Sequence, residues 1–188
     1  MRYQLAIFDL DGTILDTLED LYLSVNHALQ ENNMPKRTIQ EVRQFVGNGI
    51  RKLIERAVPS GTDTVTVDRV HADFTLYYKV HYADCTAPYA GITDILSALR
   101  NAGIQTAVVS NKADYAVQAL CAQYFPSLFD TVAGEKEGVR RKPAPDAVYA
   151  VLETLAVPKE KTVYIGDSDV DIQTAQNAGI PCISVDWG

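Results

Sequence analysis

The chain has 188 residues, a hydrophobic fraction of 47% and a net charge of −7, which suits one substantial domain or one domain with a smaller insert. It has no basic run, so we expect no nucleic-acid partner. No apolar stretch approaches the roughly eighteen residues of a membrane span, and the start "YQLAIFDL" lacks a signal-peptide pattern. The three cysteines are widely spaced, as is typical of free thiols, so we predict a cytoplasmic protein without a membrane partner.

The first part of the chain combines one strand with a long helical stretch. "YQLAIFDL" predicts a buried strand, after which apolar residues recur at helical spacing from Leu18 to Leu29. Thr38 and Glu41 have the spacing of a capping box, which predicts a second helix. Beyond "GNG" at 47–49 the helical period resumes, and a further long helix is predicted to end near Tyr82. We therefore predict an all-helical domain over residues 15–83, without strands.

From Pro88 onward, strands and helices alternate. The predicted strands are "IQTAVVS", a weak one near "FDTVA", "TVYIG" and "PCISV", and helical patterns separate them. Such alternation favours right-handed crossovers and a parallel sheet with helices on both faces. Together with the first strand, this predicts an α/β domain with a doubly wound parallel sheet, formed by residues 1–14 and 84–188. The helical domain is then an insertion.

Polar residues cluster at the predicted carboxyl ends of these strands and in one loop. In open parallel sheets, ligands bind at this edge. Several carboxylates cannot share such a crevice without compensation, because like charges raise one another's pKa. A divalent cation and a lysine would compensate them. The residues that we expect in the crevice are Asp9, Asp11, Ser110, Asn111, Lys142, Asp167 and Asp171.

The spacing of these residues indicates phosphoryl transfer. Asp9 and Asp11 point the same way because strand side chains alternate, and two adjacent carboxylates can divide the roles of nucleophile and proton carrier. Hard oxygen ligands suit Mg²⁺, which we predict as the cofactor. Ser110, Asn111 and Lys142 can donate hydrogen bonds to phosphoryl oxygens, where negative charge must be stabilised.

Four segments resemble, in order and spacing, the motifs of the haloacid dehalogenase superfamily. They are "DLDGT" at 9–13, "SN" at 110–111, "KPAP" at 142–145 and "GDSDVD" at 166–171. The helical insert resembles the cap domain of this superfamily. Within it, "VGNGIRKLIERA" is similar to the phosphoglycolate phosphatase group, as is "APYAGI" after it. The family usually has an aspartate where Glu135 stands here, and its members continue beyond "VDWG".

The resemblance implies a role for each matching residue. Asp9 would be the nucleophile that forms an aspartyl-phosphate, and Asp11 would protonate the leaving group and then deprotonate water. Mg²⁺ would be held by the side chains of Asp9 and Asp167 and by the main-chain carbonyl of Asp11. Asp171 would orient Lys142 or a metal-bound water. Ser110 and Lys142 complete the catalytic set, with Asn111 as a substrate ligand.

The helical insert indicates which substrate is used. The turn "GNGIRK" contains Gly47, Asn48 and Gly49 at a helix start, which suits an anion, and Arg51 can bind a carboxylate. We therefore expect a small phosphorylated metabolite, phosphoglycolate or a similar phospho-acid. Pyrophosphate, a nucleotide, a sugar phosphate or a phosphomutase reaction remain alternatives. We expect a monomer or a weak homodimer.

A different class of protein also fits part of the pattern. An aspartate near a lysine on a parallel sheet describes receiver domains, which are phospho-acceptors or phosphate-sensing switches without turnover. A receiver has no second aspartate placed for hydrolysis and no helical insert after its first strand. Asp11 and the insert therefore favour the enzyme over the switch.

Overall fold

A computed structural model describes residues 3–188, and the chain divides into two compact units. Unit 1 combines Met1–Asp16 with Ala87–Gly188, and unit 2 is Thr17–Thr86. The borders predicted from sequence, after residues 14 and 83, lie two and three residues earlier than these. The difference arises because Leu15–Asp16 pairs in antiparallel fashion with Ala87–Pro88, which keeps both segments in unit 1.

Unit 2 is helical throughout. Its core contains Val25, Leu29, Ile54 and Phe74, which are fully buried. The predicted capping box is present, since Glu41 N–H donates to Thr38 Oγ1 at 3.2 Å and Thr38 N–H donates to Glu41 Oε2 at 2.7 Å. Its helices are α1 (Leu18–Glu31), α2 (Ile39–Phe45), α3 (Ile50–Ala57) and α4 (Thr64–His81). The action of this unit as a cap stays a prediction.

Unit 1 is built on a parallel sheet. Its strands are β1 (Leu5–Phe8), β4 (Gln105–Ala113), β5 (Thr131–Glu135), β6 (Thr162–Gly166) and β7 (Cys182–Ser184), while β2 (Leu15–Asp16) and β3 (Ala87–Pro88) form the short ladder. The order in the main sheet is β5-β4-β1-β6-β7. In the register of the sheet, Phe8 lies opposite both Val108 and Ile165. The carboxyl ends of β1 and β6 therefore lie side by side, next to Val108 within β4.

Both faces of this sheet are covered. Leu5, Ile7, Val109 and Tyr164 point to one face and pack with residues of α7 and α8. Ala6, one position along β1, is also buried, as expected for a strand between two layers. The helices of unit 1 are α5 (Ile92–Asn101), α6 (Asp114–Tyr124), α7 (Asp146–Leu155) and α8 (Asp169–Ala178). The predicted doubly wound α/β class is confirmed.

Two sequence-based expectations are wrong in detail. The strand predicted to end at Ser110 continues to Ala113, because β4 resumes its pairing with β5 at Ala113 opposite Glu135 after an irregularity that follows Val109. Ser110 and Asn111 therefore lie inside a strand and not after it. The stretch 15–83 was expected to be free of strands, but Leu15–Asp16 forms β2.

Helices long and apolar enough to cross a membrane are absent from residues 3–188. Cys85, Cys121 and Cys182 are free thiols. A cytoplasmic location stays a prediction.

Candidate active site

Asp9 directly follows β1 and is buried, with 8% of its surface exposed. Its backbone N–H donates to the Ile165 carbonyl at 2.9 Å, which extends the pairing with β6 by one residue. Lys142 Nζ forms an ion pair with Asp9 Oδ1 at 2.7 Å, although no donor among the described residues meets this oxygen with hydrogen-bond geometry. The carboxylate is thus held by the strand and retains capacity for a second electropositive group.

A tight turn follows Asp9 and packs against Asp167. Leu10 is fully buried. Gly12 has a φ of +81°, and a Cβ atom there would lie 2.5 Å from Asp167 Oδ2, so that both the turn and the close approach require glycine. Thr13 Oγ1 donates to Asp167 Oδ1 at 2.8 Å. The turn therefore orients the Asp167 carboxylate beside the segment that carries Asp9 and Asp11.

Lys142 lies at the centre of a buried polar network. Its Nζ donates to Asp171 Oδ1 at 2.7 Å and to the Tyr164 hydroxyl at 3.2 Å. The Tyr164 hydroxyl in turn lies 3.1 Å from Asp171 Oδ1. Asp171 Oδ2 accepts from the backbone N–H of Ser168 at 3.1 Å, so both of its oxygens are engaged and it acts as a counter-ion of Lys142. Tyr164 was not predicted from the sequence as a site residue, because it lies within an apolar strand.

Ser110 and Asn111 have different surroundings. Ser110 is buried, and its Oγ accepts from the backbone N–H of Lys112 at 3.2 Å. The Asn111 amide binds the main chain of Lys142 twice, with Nδ2 donating to the carbonyl at 3.1 Å and Oδ1 accepting from the N–H at 2.9 Å. Asn111 therefore holds the loop that carries Lys142. Its contact with a substrate stays a prediction.

Three carboxylates lie close together, since Asp9, Asp167 and Asp171 each offer an oxygen within 4.8 Å of the others. Burial raises the pKa of Asp9 to about 8, a rise that Asp171 increases and Lys142 opposes. Burial also raises the pKa of Asp167, against the hydrogen bond from Thr13. For Asp171, burial acts in the same direction, but Lys142 outweighs it and the pKa is lowered. The site thus combines two carboxyl groups that resist ionisation, those of Asp9 and Asp167, with the Asp171 carboxylate, whose charge Lys142 balances.

These residues fit a divalent cation. Burial by itself would lower the pKa of Lys142, but Asp9, Tyr164 and Asp171 raise it well above its ordinary value, so the lysine stays charged. The positive charge of Lys142 nevertheless does not fully offset the effect of burial on Asp9, whose pKa remains raised. A second positive charge at the oxygens of Asp9 and Asp167 would favour their ionised forms, and hard oxygen donors suit Mg²⁺.

Lys112, which is 6% exposed, was not predicted from the sequence as a site residue. Its Nζ donates to Asp11 Oδ1 at 2.9 Å. Lys112 lies two residues after Ser110 and is buried to the same extent, and this spacing of two is the signal that could have indicated it. Glu135, where the family usually has an aspartate, forms an ion pair with Arg141.

The residues predicted to bind substrate in unit 2 lie at the start of α3. Gly49 precedes this helix with a φ of +83°, and Arg51 lies in its first turn. Arg51 Nε donates to Glu55 Oε1 at 3.0 Å, and the guanidinium also forms an ion pair with Asp68. Arg51 therefore already has two carboxylate partners in its own unit. The contact of Gly47, Asn48, Gly49 and Arg51 with substrate stays a prediction.

Comparison with known proteins gives consistent matches. Residues 6–185 match the haloacid dehalogenase-like hydrolase family. The phosphoglycolate phosphatase of Pseudomonas putida is 33% identical over 192 residues, covering 98% of this chain and 70% of its own length. A crystal structure from Lactobacillus delbrueckii subsp. bulgaricus, of a protein provisionally named phosphoglycolate phosphatase, superposes with a TM-score of 0.95 and 39% identity over 100% of this chain and 88% of that one. CbbY from Rhodobacter sphaeroides, solved in complex with phosphate, gives a TM-score of 0.75 and 25% identity, covering 97% of this chain and 85% of its own.

A parallel sheet with a carboxylate cluster at its carboxyl edge, together with the match over residues 6–185, defines the class: the chain belongs to the haloacid dehalogenase-like hydrolase family. Within this family it is similar to proteins named phosphoglycolate phosphatase over nearly its whole length. The resemblance stated from the motifs is therefore confirmed, and so is the prediction of an enzyme of the phosphatase type.

Proposed function

We propose that this protein hydrolyses a small phosphate monoester through an aspartyl-phosphate formed on Asp9. The observation that carries the proposal is the grouping of Asp9, Asp167 and Asp171 within 4.8 Å, with Lys142 Nζ 2.7 Å from Asp9 Oδ1. Asp9 suits the role of nucleophile because Asp171 is engaged at both oxygens and Asp167 is held by Thr13. Phosphoryl transfer depends mainly on such positioning and on charge compensation.

In the first half of the reaction, an Asp9 carboxylate oxygen forms a bond to phosphorus while the bond from phosphorus to the leaving oxygen breaks. Asp11 gives its proton to that leaving oxygen, so an alcohol departs. Lys142 and Ser110 donate to the phosphoryl oxygens. In the second half, Asp11 removes a proton from water, whose oxygen bonds to phosphorus as the bond to Asp9 breaks. Ester and water become alcohol and phosphate, and Asp9 and Asp11 return to their initial states.

Mg²⁺ is the cofactor that we propose, with the side chains of Asp9 and Asp167 and the main-chain carbonyl of Asp11 as its protein ligands. When bound, it supplies positive charge that offsets the charge of the phosphoryl oxygens and of the nucleophile. Asp171 keeps Lys142 oriented toward the site through their 2.7 Å contact.

Removal of divalent cations is expected to abolish turnover. EDTA should reduce phosphate release from nitrophenyl phosphate to background, and Mg²⁺ in excess should restore it, because the Asp9 carboxyl is protonated too readily without a second cation. Phosphate release, measured with and without EDTA, tests this. As a control, Mg²⁺ should raise the Tm of the wild type but not that of Asp167→Asn. Undiminished turnover in EDTA would count against a metal-dependent mechanism.

Phosphoglycolate or a similar small phospho-acid is the substrate class that we propose. Relatives named phosphoglycolate phosphatase support it, as do the glycine-flanked start of α3 and the arginine in its first turn. A carboxylate on the substrate would exchange with the carboxylates that now bind Arg51. The monomer or weak homodimer stays a prediction.

Arg51→Ala is expected to raise the KM for phosphoglycolate by about tenfold while leaving nitrophenyl phosphate unaffected, because only the first substrate has a carboxylate for a charge-assisted hydrogen bond. Steady-state kinetics on both substrates test this. Arg43→Ala is the matched control, since Arg43 is an exposed arginine of the same unit. If hexose phosphates or pyrophosphate show a far higher kcat/KM than phosphoglycolate, the substrate class is wrong, although the reaction class is retained.

A further inference from the structure

Lys112 is a buried lysine that none of the roles described above requires. Its side chain is 4% exposed, and its ammonium group lies 2.9 Å from Asp11 Oδ1, in an ion pair between residues 101 positions apart. Lysine is almost never fully buried without a partner. The pairing therefore needs an explanation in the chemistry of Asp11 or in the stability of the fold.

Stability alone explains the pair poorly. Taking two charges out of water is unfavourable, and a buried ion pair often gains little over apolar side chains of similar volume. The Asp11 side chain is 19% exposed, so it could be hydrated without Lys112. A need to orient the Asp11 carboxylate explains the ion pair better than stability does.

The Asp11 carboxylate is oriented by a residue of strand β4. Lys112 belongs to β4, and its backbone N–H donates to Ser110 Oγ at 3.2 Å. Asp11 lies in the turn after β1, the strand that pairs with β4. A lysine on a central strand thus holds one carboxylate oxygen of a turn residue, Asp11 Oδ1.

We propose that Lys112 is a positioning residue, which holds the Asp11 carboxylate in the orientation needed to exchange a proton with the leaving group and with water. The inference rests on the proposed function, since it assigns to Asp11 the role of proton carrier. Misplacement of a catalytic group by about 1 Å can cost on the order of 100-fold in rate. Lys112 acts through Asp11 and does not itself transfer a proton.

Two other roles for Lys112 give different results. A lysine that binds the substrate directly would, when removed, raise KM and act independently of Asp11. A lysine that only stabilises the fold would, when removed, lower the rate equally for every leaving group. A positioning role predicts a loss in the rate of the phosphorylation step that grows with the need of the leaving group for a proton, and this loss disappears once Asp11 is removed.

The test is a double-mutant cycle of Lys112→Met and Asp11→Asn on two substrates, an alkyl phosphate and nitrophenyl phosphate. Lys112→Met is expected to lower kcat for the alkyl phosphate by about 10- to 100-fold, with KM changed less than about threefold. For nitrophenyl phosphate, whose leaving group needs no proton, the pre-steady-state release of nitrophenolate should change by less than about threefold, whereas steady-state turnover should fall because Asp11 must still activate water. In the Asp11→Asn background, Lys112→Met should cause no further loss on either substrate.

Conservative variants and a control complete the experiment. Lys112→Arg keeps the charge and the donor and should recover most of kcat, whereas Lys161→Met, at an exposed lysine of unit 1, should match the wild type. If Lys112→Met does not fold, as judged by circular dichroism, Lys112→Gln serves in the same cycle. Losses that are additive with Asp11→Asn, or a change in KM alone, would overturn the inference. A wild type without phosphatase turnover would instead overturn the proposed function.

Discussion

Asp9→Asn is expected to lower kcat by about 10⁴-fold or more while the protein stays folded. The amide has nearly the shape of the carboxylate, but it is a poor nucleophile and cannot form the covalent bond to phosphorus. Lys142 would lose one partner, yet it keeps Asp171 at 2.7 Å, so the site should not collapse. Phosphate release from nitrophenyl phosphate measures the activity, and circular dichroism measures the fold.

Asp169→Asn is the matched control for this variant, because Asp169 is an exposed aspartate at the start of α8, two residues from Asp167. It should retain wild-type turnover. A covalent intermediate can also be sought directly in Asp11→Asn, where nitrophenyl phosphate should phosphorylate Asp9 but hydrolysis is slow. Mass spectrometry after acid quench should then find one phosphoryl group on the peptide that contains Asp9. An Asp9→Asn enzyme with only a tenfold loss would exclude the covalent mechanism.

Lys142→Met is expected to reduce both activity and stability. Its removal leaves the carboxylates of Asp9 and Asp171 in a buried site without the ammonium group that contacts both. Breaking a buried ion pair by removing one partner typically costs about 3–5 kcal/mol of unfolding free energy, and we expect a loss of this order. Turnover should fall by about 10³-fold or more, since a donor to the phosphoryl oxygens is also lost.

The stability loss of Lys142→Met should depend on pH. Burial raises the pKa of Asp9 to about 8 from an ordinary value of 3.8, so the folded protein keeps a proton that the unfolded chain releases. The contribution of Asp9 to stability therefore falls as the pH rises from about 4 to about 8. Lys142 opposes the rise in this pKa, so without Lys142 the folded protein keeps the Asp9 proton to a higher pH, and the difference in unfolding free energy between variant and wild type should widen from about pH 7 to about pH 9.

Urea unfolding in EDTA at both pH values measures this difference, and Lys161→Met serves as the control at an exposed lysine. If the difference in unfolding free energy between variant and wild type is the same at both pH values, Lys142 does not lower the pKa of Asp9. Activity close to the wild type would contradict the role of Lys142 at the phosphoryl group.

Much of the fold could be predicted because its signals are local. The helical period from Leu18 to Leu29 and the capping box at Thr38 each lie within a few turns of chain, and both helices begin close to the predicted residues. The apolar runs that become β1 and β6 are equally local. The end of β4 could not be predicted, because its last residues are held by pairing with β5 and not by their own pattern.

The sequence by itself determined which residues could carry the chemistry, because alternating strand side chains and turn residues are properties of short segments, as the spacing of Asp9, Asp11 and Gly12 illustrates. Only the tertiary structure decided the partners of these residues. Lys112 contacts Asp11, which lies 101 residues away in the chain. Asn111 holds the loop that carries Lys142, which lies 31 residues away. Such contacts depend on strand order and register, which many distant apolar contacts set together. A buried polar group takes whichever partner that register brings within hydrogen-bond distance.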